Sequence, residues 1–139
     1  MKTEQLNALL YQALETEQGG IQVYETALRC VVNEELKEEW REYLEQTRRH
    51  EQSVLRVFEA FELDPDADTP GRRVVRHIGA SLVRAMEMAL EAGDREAAQL
   101  VAAECVVEAE TKDHLNWELL HQASDAVKGE KGKALKQAV

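Results

Sequence analysis

Two histidines sit in the same local pattern, Thr47-Arg48-Arg49-His50 and Thr111-Lys112-Asp113-His114. A spacing of three places the threonine and histidine of each pair on one helix face. An imidazole on an inward face serves as a metal ligand or as the partner of a buried acid. The acid is present: Glu17 interrupts the apolar series Leu6, Leu10, Ala13, Ile21, Tyr24 and Leu28, where a carboxylate without a partner is costly. Glu17 stands 16 residues before Asn33 and His50 stands 17 after it, so two antiparallel helices turning at Asn33 bring them to one level. Glu17 is therefore expected within hydrogen-bond or one-water reach of His50. Glu110, one turn before His114, and Glu51, beside His50, are further candidate ligands. The plainer readings stand beside these: imidazoles hydrogen-bonded to an acid or water, Glu51 and Glu110 as solvated charges, and threonine hydroxyls bonded to the preceding turn.

The elements that must position these residues follow from apolar spacing. Three-four periodicity predicts helices over 3–32 and 34–62, a third carrying Val74, Ile78, Leu82, Met86 and Leu90, and a fourth over 95–127. Asn33 and Asp94 are the expected N-caps of the second and fourth, Gly93 stops the third, and the segment 64–71 holds both prolines. On the fourth helix the inward series is read as Ala97, Leu100, Glu104, Val107, Thr111, His114 and Glu118. Gly19-Gly20 lies inside the first helix at ~1 kcal/mol per glycine relative to alanine, which implies a kink or a close helix approach. Residues 1–127 thus form one all-α four-helix bundle, and 128–139, with four lysines and little apolar face, are expected to be a flexible basic tail.

Glu17 followed seven residues later by Tyr24, the two motifs ending in His50 and His114, and the length and order of the helices resemble the ferritin-like superfamily of ferritins and rubrerythrins, and more loosely the short YciF-like members. The resemblance covers roughly residues 3–127. It implies a ferritin-like bundle whose metal ligands are a Glu on helices 1 and 3 and Glu-x-x-His on helices 2 and 4. Glu17, His50 and His114 match. Thr47 and Thr111 stand where the motif glutamates belong, and Glu87 and Glu91 lie out of phase on the third helix. The resemblance therefore implies one Fe or other divalent ion at an incomplete di-iron-type site, without paired-iron oxidation, because a second ion would enter the core uncompensated. The alternative is a bundle without metal, acting as a structural, interaction or stress-related protein.

Composition narrows the classes. The 139 residues carry 27 acidic and 17 basic side chains, net −10, which opposes nucleic acid and anionic membranes. Cys30 and Cys105 lie among valines with no Cys-x-x-Cys spacing and are expected to be buried free thiols. No signal-like or membrane-length apolar run is present, so a cytoplasmic protein is expected. No Ser-His-Asp or Cys-His constellation falls at a recognisable motif, and no catalytic residue is assigned. Trp40, Trp117 and nearby leucines suggest more apolar surface than four thin helices cover, hence a homodimer.

Overall fold

A computed structural model describes all 139 residues. The chain is all-α, with helices α1 (Thr3–Cys30), α2 (Glu34–Ala60), α3 (Pro70–Glu91), α4 (Arg95–Ser124) and α5 (Gly129–Ala138). The turns form where their chemistry was expected. Asn33 Oδ1 accepts from Leu36 N at 2.9 Å and Asp94 Oδ1 accepts from Ala97 N at 3.1 Å, each satisfying an amide left free at a helix start. Thr69 caps α3, with Pro70 in its first turn. Gly93 supplies the positive φ of 88° between α3 and α4. Gln99 Oε1 accepts from both Val32 N and Asn33 N at 2.8 Å, which ties α4 to the α1–α2 turn.

Helix α1 is the hub. It packs against α2, α3 and α4, whereas no Cα of α2 comes within 8 Å of α3 or α4. Gly20 and, on α3, Gly79 explain part of this closeness. A Cβ on Gly20 would lie 3.3 Å from Thr47 Cγ2, and one on Gly79 would lie 3.9 Å from Gly19 Cα. The helices therefore approach at Gly20–Thr47 and at Gly19–Gly79.

Two apolar cores lie along α1. One joins Leu6, Leu10, Leu14, Val54, Phe58 and Leu120; the other joins Val23, Tyr24, Ala27, Trp40, Met86 and Ala102. Between them α1 presents Glu15, Thr16 and Glu17, all buried. Each buried polar group here requires a partner, and Glu15 and Thr16 are fully supplied by α3 and α4. Arg72, itself buried, donates through Nε to Glu15 Oε1 at 2.8 Å, through Nη1 to the carbonyls of Pro65 and Ala67, and through Nη2 to Gln18 Oε1 at 3.0 Å. Arg76 adds a second cation to Glu15 at 2.9 Å. Thr16 Oγ1 accepts from Asn116 Nδ2 at 2.9 Å.

Three expectations are corrected. Residues 129–138 form a helix packed on α2 and α4 rather than a flexible tail. Leu135 is wholly buried in the first core, and one leucine among lysines suffices because Gly132 lets the α5 backbone close on Val127, where a Cβ would lie 2.0 Å from the carbonyl oxygen. On α4 the series Ala97, Leu100, Glu104, Val107, Thr111, His114 and Glu118 faces solvent, while Ala98, Ala102, Cys105, Asn116 and Leu120 face inward. The tryptophans are not an outward apolar surface either, since Trp40 is buried and Trp117 is half-buried.

Candidate metal centre

The third polar residue of the α1 belt is Glu17, 1% exposed. Its Oε1 accepts from Trp117 Nε1 at 2.8 Å, and its Oε2 is buried without a hydrogen-bond partner. His50 Nδ1 on α2 lies 3.8 Å from that oxygen, too long for a hydrogen bond and within one-water or one-ion reach. The equal spacing about Asn33 thus brings Glu17 and His50 together as the antiparallel hairpin requires.

The third member comes from α4 and is Asp113. One ligand atom from each of Glu17, His50 and Asp113 lies within 4.8 Å of the others. Asp113 becomes inward because α4 is turned by one residue from the expected phase, which moves His114 to the exposed outer side. There His114 lines the outer part of the α2–α4 groove with His50, Glu118 and His121. Glu51 is half-buried on α2 and is not brought to the cluster. Glu110 borders the site: it lines the same groove as Tyr43, Thr47, His50 and Asp113, and accepts from the Tyr24 hydroxyl.

Both threonine hydroxyls bond to their own helix, Thr47 Oγ1 to Tyr43 O and Thr111 Oγ1 to Val107 O, each at 2.8 Å. Neither supplies the absent carboxylate. Thr47 is buried and sets the α1–α2 separation, whereas Thr111 is exposed.

The electrostatics follow from burial. Glu17 is pushed from an ordinary 4.5 up to about 10, first by desolvation, then by Asp113, which accepts a hydrogen bond from the protonated acid and repels the ionised one. The Trp117 indole opposes this and Glu110 adds to it. The Tyr24 hydroxyl is likewise raised, by burial first and then by Glu110. A half-open groove of about 250 Å³ lined by Tyr43, Gln46, Thr47, His50, Glu110 and Asp113 connects the site to solvent.

Residue types alone gave no reason to prefer Asp113 to His114, since both follow Thr111 within one turn. The usable signal was Asn116 and Trp117, two polar-tipped large residues one turn further on that both find partners on α1. Comparison of the chain with family models, characterised proteins and solved structures returns no match.

Proposed function

We propose that the protein is a ferritin-like helical bundle that binds one divalent cation between α1, α2 and α4, with Glu17, His50 and Asp113 as ligands and Glu110 beside them. The observation that carries this is the orphaned Glu17 Oε2, buried and facing an imidazole nitrogen and a second carboxylate. Two ionised carboxylates and one neutral imidazole balance a +2 ion, and this mixed oxygen and nitrogen set suits Fe(II), Mn(II) or Zn(II). The groove at Tyr43 and His50 leaves a route for the ion and for water. A second ion would still lack compensating charge, so the reading is a single-ion protein and not a paired-iron oxidase. It is proposed as cytoplasmic; no helix is long and apolar enough to cross a membrane.

The test is metal content of untagged protein, followed by anaerobic Fe(II) and Zn(II) titration of chelator-treated wild type, Asp113→Asn, Glu17→Gln and His114→Ala. One ion per chain in wild type and His114→Ala, with affinity lost at least tenfold in the other two, supports the reading. Equal affinity in all four overturns it. A second reading, a bundle without metal, is favoured by the raised Glu17 value: a protonated Glu17 donating to Asp113 needs no ion. A homodimer is proposed through Leu100 and Val107 of α4 with Val74 and Ile78 of α3, all exposed; light scattering at micromolar concentration decides it.

A further inference from the structure

Away from Glu17, His50 and Asp113, a second, half-open space lies between α1, α3 and α4. It measures about 130 Å³ and is lined almost entirely by apolar surface. Its floor is the glycine crossing. A Cβ on Gly19 would meet no atom within 4 Å, so alanine fits there without strain and would be the better helix residue. Packing therefore does not explain Gly19. Its effect is to keep the space open beneath Val75, Ile78 and Leu82.

One cation stands in the lining. Lys112 of α4 donates from Nζ to Asn116 Oδ1 at 2.6 Å, which uses one of its three donors. No carboxylate lies within salt-bridge distance of it. Two carboxylates also line the space: Glu15 is neutralised by Arg72 and Arg76, and Glu108, one turn before Lys112, is exposed and makes no ion pair with it. A half-buried ammonium that makes no ion pair beside an apolar cleft matches an amphiphile with an anionic head. Apolar cavities of about 150 Å³ hold molecules of benzene size, which sets the tail at about six carbons.

We propose that this cleft binds a short aliphatic monocarboxylate, its tail over Gly19 and Gly79 and its carboxylate on Lys112. The site shares no residue with Glu17, His50 and Asp113, and the proposal stands whether or not a metal binds there.

The experiment is calorimetric titration and amide NMR mapping of chelator-treated full-length protein with hexanoate, using 1-hexanol as the uncharged control. An eight-atom ligand is expected to bind with a Kd on the order of 0.1 mM, with shifts centred on Gly19, Gly79, Leu82 and Lys112. Gly19→Ala should weaken hexanoate at least tenfold while raising the melting temperature, a pairing that a misfolded variant cannot produce. Lys112→Met should weaken hexanoate about tenfold and leave hexanol unchanged. Absence of hexanoate binding at millimolar concentration, unchanged affinity in Gly19→Ala, or equal losses for both ligands in Lys112→Met would each overturn the proposal.

Discussion

Replacing Glu17 with Gln should stabilise the metal-free protein at neutral pH. Wild-type Glu17 binds its proton at about 10 in the folded protein and at 4.5 as an ordinary carboxyl. Between those values the folded state holds a proton that the unfolded chain has released, so its stability falls as pH rises, by about 1.4 kcal/mol per unit. The loss is absent below 4.5, grows through neutrality and is complete near 10. At pH 7 it is on the order of 3 kcal/mol. Glutamine has nearly the same shape, its carbonyl still accepts from Trp117 and its amide donates toward Asp113, so it avoids the penalty without opening a cavity. Thermal unfolding with chelator present should show nearly coincident curves at pH 4, and at pH 7 a variant melting higher by roughly 10 °C, given a few degrees per kcal/mol for a chain of this size. Zn(II) should narrow the gap, raising wild type by about 2.7 kcal/mol at a hundredfold excess over its Kd and the variant, with affinity at least tenfold weaker, by no more than about 1.4 kcal/mol. Identical pH profiles for the two proteins would show that Glu17 carries no burial penalty and would remove the reason for a cation.

Three other outcomes are expected. Arg72→Met leaves Glu15 buried with a single half-exposed partner and releases the 65–67 carbonyls, so urea unfolding should show a loss on the order of 3 kcal/mol; a loss below 1 would mean that the clamp is not energetically important. Gly132→Ala places a Cβ against the Val127 carbonyl and should cost about 2 kcal/mol, seen as new protease cleavage between α4 and α5, whereas unchanged digestion would show that α5 adapts. Burial raises both Cys30 and Cys105 thiols, so a thiol reagent at pH 8 should react only at the rate of unfolding; labelling within seconds in native buffer would contradict their burial.

Periodicity and capping residues were sufficient to read the four long helices: α1 by its apolar spacing alone, and α2, α3 and α4 because each also begins at a side-chain oxygen whose local effect does not depend on the rest of the chain. The pairing of Glu17 with His50 was legible for the same reason: a short turn at Asn33 converts sequence distance directly into height. The C-terminal helix was not legible. Its sequence, GEKGKALKQA, is poor in intrinsic preference, and it exists through one buried leucine and one backbone contact, both tertiary. The Arg72 clamp was not legible either, because its contacts with the α2–α3 loop, Glu15 and Gln18 depend on where the loop lies.

The rotation of α4 decides the chemistry. Alanine, valine and leucine occur on two sides of this helix about 100° apart, so apolar spacing supports two inward phases one residue apart. The larger residues, Leu100, Val107 and Leu115, favour the phase that presents His114. The fold adopts the other, which buries Ala98 and Ala102 and gives buried Thr16 and Glu17 the donors of Asn116 and Trp117. Leaving either acceptor unsatisfied would cost about 1–3 kcal/mol, comparable to the burial of one leucine. Satisfying these two acceptors therefore offsets leaving about two apolar side chains exposed, and Asp113 is carried to Glu17 and His50 as a consequence. The rotation thus sets a second carboxylate, in place of a second histidine, beside the buried acid.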